Sequence, residues 1–469
     1  MAQLEKLIHG SYQNLFAIDE GGGIYDEPSQ MLDLVPPRII DENTLVAVEI
    51  PHLFEAVNHT QTKTGAATLF RSLIQPLDSL ELIHEKQNSV RELEKDKELR
   101  REFREYISSV AKGEAYLHWY LFNCVYCQSE PYKLGNIGQY KIYRGFMDFF
   151  KKMVDGAKDL PTPQSRYLKV LVEDLRNLDG TRIFELIKGP VYKTFKGLKP
   201  RREIRIYSPR IKFTLRPFKP TLLIPCVASI LPFLFIHEPV GAMAPLVTLI
   251  ALGWLTFMMG YPETFDRKHF IFPLKEIYKR DSNLRRGIEA LGKVDELLSF
   301  YEYSKAMGED MVLPTVTRAD QHYFVAKRVR NPILAKGNPD YVTNDVDLSG
   351  KRMTIITGAN SGGKTTYCKT IAQMQILAQI GCHVPAEETE LSVADSIMYQ
   401  APIFGSLKNT EGRFGTELAR TRDIFFKATP RSLIILDELA EATTYEEKME
   451  ISYAILNLSL IHISEPTRP

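Results

Sequence analysis

Through much of the first two thirds of the chain, apolar residues recur at three- and four-residue intervals, the period of a helix with one buried face. Between Glu81 and Lys112, Val90, Leu93, Leu99, Phe103, Ile107 and Val110 keep that spacing, or multiples of it, among dense charges, which predicts an amphipathic helix. A second stripe, Leu284, Ile288, Leu291, Val294, Leu298 and Tyr301, follows Ser282, whose hydroxyl suits an N-cap. The region before about residue 318 therefore reads as mostly helical. Beyond it, short apolar runs, glycine turns and helices alternate, as in an open α/β sheet. No repeat or low-complexity tract interrupts this order.

One stretch departs from both patterns. From Thr221 to Gly260 the only formal charge is Glu238, beside His237. The run Val240 to Gly260 has 21 residues, enough to cross about 30 Å of hydrocarbon as a helix. The run Thr221 to Ile236 has 16 residues and carries Pro225 and Pro232, so it reads as shorter and kinked. Between Arg182 and Lys219 there are 12 Lys and Arg against Glu185 and Glu203, and Arg267, Lys268, Lys275, Lys279 and Arg280 follow the apolar runs. Basic flanks around a loop without Lys or Arg predict a transmembrane hairpin, and a cytoplasmic-membrane protein with both ends in the cytoplasm. The alternative is a buried helical pair, which would leave the protein cytoplasmic. The basic flank suits anionic lipid and nucleic-acid phosphates equally.

Composition sets wider bounds. The 469 residues carry 59 Lys and Arg against 58 Asp and Glu, a net +1, with 44% hydrophobic and 25% charged residues. That excludes a disordered chain and one coated throughout in nucleic acid, but not a local basic patch. Five cysteines are too few for a disulfide scaffold and point to a reducing compartment. The opening MAQLEKLIHGSYQ lacks a signal-peptide layout. Cys124 and Cys127 form an isolated CxxC in an apolar setting, read as small buried hydrophobes rather than zinc or redox ligands.

The chemistry concentrates late in the chain. Residues 352–366 read RMTIITGANSGGKTT: an apolar run Met353–Ile356, expected as a buried strand, then a GxxxxGK[ST] loop, then an apolar-periodic helix. Gly358, Ala359, Asn360, Ser361, Gly362 and Gly363 supply backbone N–H groups that can close around phosphates at a helix N-terminus. Lys364 can reach the β and γ phosphates, Thr365 can ligate Mg²⁺, and Thr366 continues the loop into the helix. Downstream, Ser432–Glu438 reads SLIILDE, an apolar strand ending in two acids, 437 − 364 = 73 residues after the lysine. Asp437 suits Mg²⁺ and Glu438 is placed to polarise the attacking water. The expected ligands are ATP and Mg²⁺.

These residues resemble the MutS family, the mismatch-repair ATPases of the broad ABC class. The likeness runs through TGANSGGKTTYCKTIAQMQILAQIGCHVPAEETELSVADSI and GRFGTELARTRDIFFKATPRSLIILDELAEATT. Upstream, RNPIL and VTNDVDL resemble the lead into the family's adenine pocket, which implies Val342, Asn344 and Asp345 as base-side contacts. A separate stretch, NHTQTKTGAATLFRSLIQPLDSLELIHEKQNSVRELE, resembles the helical core domain, with His59, Thr60, Thr62 and Gly65 and the turn Gln75-Pro76-Leu77. The expected fold is α + α/β: a helical core or lever domain with a transmembrane hairpin, then a P-loop ATPase domain with a mostly parallel sheet. The implied boundaries are an extension at 1–40, core at 41–220 and 261–318, hairpin at 221–260, an incomplete ATPase domain at 319–458 and a non-native tail at 459–469.

Departures from the family pattern are specific. No mismatch-reading domain precedes the core resemblance, Gly412 stands where the family usually has a serine that completes the partner subunit's site, and Ala440 and Ala442 stand for common glycines. Only 469 − 438 = 31 residues follow Glu438, too few for the family's switch histidine and later helices. The pattern fits a short, membrane-hairpin subgroup. The first expected function is ATP binding and hydrolysis by a homodimer joined through its ATPase domains, with duplex, mismatched or branched DNA as partner and an anchor at 221–260. The second is a membrane-tethered conformational ATPase acting on a protein or membrane partner without DNA repair. An ABC-transporter ATPase subunit fits least, because an LSGGQ-type signature is missing.

Overall fold

A computed structural model describes residues 39–122, 137–207, 209–215, 264–308, 310–338, 340–359, 362–401 and 412–437, with a few positions in 246–254 and 446–457. The helical part opens with α1 (Glu42–Ala47), α2 (Ile50–Val57), α3 (Lys63–Ile74), α4 (Leu80–Lys95), α5 (Lys97–Ala111) and α6 (Glu114–Phe122). It continues with α7 (Ile137–Asp159), α8 (Arg166–Arg176) and α9 (Arg182–Lys188). Strands β1 (Val191–Thr194), β2 (Gly197–Pro200) and β3 (Ile211–Lys212) follow, then α10 (Phe272–Arg280) and α11 (Ser282–Met307).

Side-chain caps set the helix boundaries, each offering an oxygen to an otherwise unpaired first-turn N–H. The stretch expected as one helix over Glu81–Lys112 is two. Asp96 ends α4 and caps α5, its Oδ1 accepting from Leu99 N–H at 3.0 Å. The second stripe begins on Asp281, whose Oδ1 accepts from Leu284 N–H at 2.9 Å, so Ser282 is the first helical residue rather than the cap. Both apolar stripes are buried as their spacing predicts, save Tyr301, which is half-exposed.

Helix α11 is the axis of this part, buried along most of its length against α3, α4 and α8. Its contact with α3 is close enough to require glycine: a Cβ on Gly292 would lie 2.3 Å from Thr68 Oγ1, and one on Gly65 2.3 Å from Asp295 Oδ2. The charges on α11 that face inward are paired. Arg71 donates to both carboxylate oxygens of Glu289 at 2.8 and 2.7 Å, and Lys86 Nζ donates to Glu296 at 3.0 Å. Asp295 accepts from Thr62 Oγ1 at 2.6 Å and from the N–H groups of Gln61 and Thr62, which ties the start of α3 to α11. Glu114 takes the next two N–H groups, of Lys63 and Thr64, at 2.7 Å each.

Lys293 lies in the same layer, and burial pushes its ammonium down to about 8 although Glu296 and Glu289 act against the shift. Between pH 8 and 10.5 the unfolded chain then binds more protons than the folded one, so stability rises with pH in that window. Below it the full cost applies. Lys293→Met is therefore expected to stabilise the protein near pH 7, on the order of 3 kcal/mol. That advantage shrinks as pH is raised through the window. Thermal denaturation of both proteins across a pH series checks this, and a constant offset contradicts it.

Beyond α11 the chain forms β4 (Thr315–Thr317), β5 (Phe324–Val329), β6 (Asn344–Asp347), α12 (Lys364–Gln379), β7 (Glu388–Ser392), β8 (Ile397–Gln400), α13 (Gly412–Lys427) and β9 (Leu433–Leu436). The expectation of a mostly parallel P-loop sheet is corrected here. One sheet has the order β4-β7-β5-β6, in which only β4–β7 is parallel and the β7–β5 and β5–β6 ladders are antiparallel. The other sheet described beyond α11 is the parallel pair β8–β9. Apolar alternation marks a strand without stating its neighbour's direction, and β5 pairs with β6 and β7 across connections whose geometry no local pattern encodes. Residues 39–44 join this part: Ile39 O accepts from Ile397 N–H at 2.7 Å and Thr44 Oγ1 from Tyr399 N–H at 2.8 Å.

The transmembrane hairpin and the cytoplasmic-membrane location are also corrected. Among the described residues no helix is long and apolar enough to cross a membrane. Most of 221–260 lies outside the described residues, as does the Cys124–Cys127 pair. Low charge over a long window meets the hydropathy criterion without fixing a continuous helix, and Pro225, Pro232, Pro239 and Pro245 each remove a helix-forming N–H.

Candidate nucleotide-binding site

The glycine-rich loop meets α12 at Gly363, whose φ of +74° is the left-handed conformation that favours glycine at a tight loop-to-helix junction. The next residue, Lys364, folds back over the loop, and its Nζ donates to Gly358 O and Ala359 O at 2.8 Å each. Gly362 N–H closes the turn onto Ala359 O at 2.9 Å. The ammonium thus sits at the mouth of the loop, with its donors on carbonyl oxygens that phosphate oxygens can replace. Thr365 is exposed in the first turn of α12, and Thr366 is half-buried beside it. Asn360 and Ser361 lie outside the described residues.

The run Met353–Ile356, expected as a buried strand, is neither. Residues 353–356 are not assigned to a strand, and Ile355 is 66% exposed. A strand is stable only through its neighbours, so an apolar run alone does not make one.

Asp437 follows β9 and is buried, with its N–H donating to Gln400 O at 2.9 Å and its Oδ2 accepting from Tyr399 OH at 3.1 Å. Burial and the Asp437 charge push the Cys368 thiol up to about 11, and the same two causes raise the Tyr399 phenol. Strand β9, which runs into Asp437, packs against α12, so the carboxylate and the loop helix share one neighbourhood. Both neighbouring groups stay protonated at neutral pH. Glu438 lies outside the described residues.

On the base side, Val342 is 77% exposed and Asn344 starts β6, opposite Val329. Asp345 Oδ1 accepts from Arg328 N–H at 2.8 Å, and its carbonyl accepts from Tyr367 OH at 3.1 Å. Tyr367 therefore links α12 to β6, a role that sequence reasoning missed. Its position three residues after Lys364 was the available signal.

A larger omission is the polar lining of α12. Asn331 is buried and fully bonded, donating to Thr370 Oγ1 at 2.8 Å and Gln373 Oε1 at 3.0 Å while accepting from the N–H groups of Ile333 and Leu334. Gln373 also donates to Val48 O at 2.8 Å, and Lys369 to Glu49 at 2.6 Å, which joins α12 to the first helices. At its far end Gln379 exchanges bonds with Leu77, side chain to carbonyl at 2.8 Å and carbonyl to N–H at 3.1 Å. Glutamines recurring within an apolar helix were the readable sign of a helix buried on all sides.

This arrangement can hold a polyphosphate against backbone N–H groups and one ammonium, with a buried acid nearby for a divalent cation. Residues 40–300 match MutS domain III and residues 354–465 match MutS domain V. The chain is 36% identical over 186 residues to the DNA mismatch repair protein MSH3 of Kluyveromyces lactis, an alignment covering 39% of this chain and 18% of that protein. It is also 36% identical over 187 residues to the DNA mismatch repair protein msh3 of Aspergillus fumigatus, covering 39% and 16%. The chain thus spans less than a fifth of the length of these curated relatives. Because the domain III match alone takes in more than half of the 469 residues, the chain belongs to the MutS family.

Proposed function

We propose that the chain is an ATP-binding and hydrolysing protein of MutS type that acts on DNA in mismatch repair and pairs through its ATPase regions. The carrying observation is the loop itself: a left-handed Gly363 opening a helix, with Lys364 poised over the loop carbonyls. In this reading Gly358, Ala359, Asn360, Ser361, Gly362, Gly363 and Thr366 present N–H groups to the phosphates, and Lys364 exchanges its two carbonyl partners for phosphate oxygens. Thr365 and Asp437 hold Mg²⁺, which supplies charge neutralisation on the phosphates when bound. Their fit rests on the exposed Thr365 and on the buried Asp437, whose Oδ2 accepts from the Tyr399 hydroxyl. Glu438 orients the attacking water, and Val342 and Asn344 flank the base.

Domain boundaries follow the same reading, with a helical core at 41–220 and 261–318 and an ATPase region at 319–458. Movement at the loop has a physical route into the core, because α12 is bonded to Val48 and Glu49 near its middle and to Leu77 at its end. The DNA component draws support from family membership and from the repair role in the relatives' names.

ATP turnover in Mg²⁺, with and without mismatched duplex DNA, tests this reading. Hydrolysis that EDTA abolishes and DNA alters is expected, with Asp437→Asn lowering the rate about a hundredfold or more. A chain that binds ATP but ignores duplex DNA at low salt loses the DNA component, and one with no nucleotide affinity loses the whole reading.

A further inference from the structure

The basic stretch after Arg182 takes no part in the nucleotide site, yet its fold gives it a defined surface. Strands β1–β3 form an antiparallel sheet of order β2-β1-β3. Tyr192 lies opposite both Lys199 and Lys212, whereas Lys193 lies opposite Leu198 and Ile211. Because side chains alternate along each strand, Lys199, Tyr192 and Lys212 form a row on one face and Lys193 belongs to the other. The Lys193 face is the anchored one. Val191, Leu198 and Phe213 are buried, Phe213 stacks on Phe270 at 4.8 Å, and Lys193 Nζ bonds His269 Nδ1 at 2.6 Å.

On the opposite face Lys212 and Arg210 are exposed and Tyr192 and Lys199 are half-exposed. The Arg210 guanidinium lies over the Tyr192 ring, 5.5 Å from its centroid, and adds a third cation to the row. At the hairpin end, Lys196 is exposed beside Phe195, which is 93% exposed, and Tyr207 in the following loop is 96% exposed. The nearby acids are engaged elsewhere, Glu203 with Arg182 at 2.6 Å and Glu185 with Arg202 at 3.4 Å. Among the described residues, Lys196, Lys199, Arg210 and Lys212 have no carboxylate partner.

We propose that this face binds an unpaired nucleic-acid strand, its phosphates along Lys199, Lys212, Arg210 and Lys196 and its bases stacked on Phe195 and Tyr207. A row of cations crossing three strands, about 4.8 Å per step, complements a linear polyanion. The exposed rings of Phe195, in the turn that joins β1 and β2, and Tyr207, three residues before Arg210, complement base faces, which only an unpaired strand offers. The proposal rests on reading the chain as a nucleic-acid-associated protein and adds the surface and the strand state.

The test uses the full chain with a fluorescent mixed-sequence single strand, its duplex and phosphatidylserine vesicles, each over a salt series. The variant with Lys196→Gln, Lys199→Gln, Arg210→Gln and Lys212→Gln is expected to bind the single strand weakly. The slope of log affinity against log salt should become shallower by about 3, since each phosphate neutralised on a single strand contributes about 0.7. Phe195→Ala with Tyr207→Ala is expected to lower single-strand affinity about thirtyfold or more and leave duplex affinity unchanged. ATP affinity, which uses none of these residues, reports that both variants are folded. Single-strand binding unchanged in both variants overturns the surface while the nucleic-acid reading stands. Absence of all nucleic-acid binding by the unaltered chain overturns both. Loss of vesicle or duplex binding alone in the charge variant overturns the proposal in favour of that other occupant.

Discussion

Replacing Arg71 with alanine is expected to destabilise the helical region by about 3–5 kcal/mol, the cost of leaving a buried charge without its partner. Arg71 and Glu289 are 4% and 2% exposed, and their two parallel bonds of 2.8 and 2.7 Å join α3 to α11 in its buried section. The guanidinium fork satisfies both carboxylate oxygens at once. Truncation at Arg71 leaves the buried Glu289 carboxylate without its two guanidinium donors, and Lys293, one turn along the same helix, shows that burial there disfavours a charge. The double variant Arg71→Met with Glu289→Leu keeps the volume and removes both charges, so its stability should stay close to that of the unaltered chain. Urea unfolding followed by helical circular dichroism gives both values. A loss under about 1 kcal/mol for Arg71→Ala would mean that water reaches the pair.

This prediction also marks where sequence reasoning reached its limit. The stripes Val90–Val110 and Leu284–Leu298 were legible because one residue type at helical spacing carries the signal locally. The Arg71–Glu289 pair joins residues 218 positions apart, and each partner reads alone as an ordinary surface charge. Asp96 split an expected single helix because a capping aspartate within a charged stretch resembles its neighbours. The loop-to-helix junction at Gly363–Lys364 was plain from its glycines, whereas the Asn331–Thr370–Gln373 cluster behind it was not. Strand partners and their directions depend on contacts between distant segments, and the expected parallel sheet gave way there. The basic stretch reads in one dimension as the flank of an apolar run, and only the register of β1–β3 sorts it into an anchored and an open face.

Lys364→Ala carries the largest expected functional effect. The lysine's bonds in the folded chain go to two loop carbonyls, so its removal leaves the packing of α12 intact. What disappears is the Lys364 ammonium at the loop mouth. Two charge-assisted hydrogen bonds to phosphate, at about 1.5–3 kcal/mol each, correspond to a hundredfold or greater fall in affinity. Folding is monitored separately by circular dichroism, so loss of binding and loss of structure are distinguished. Calorimetric titration of ATP with Mg²⁺ into the unaltered chain and into Lys364→Ala is the most direct measurement. Saturable binding in the former and none measurable in the latter is the predicted result, while equal affinity in both would contradict the nucleotide site.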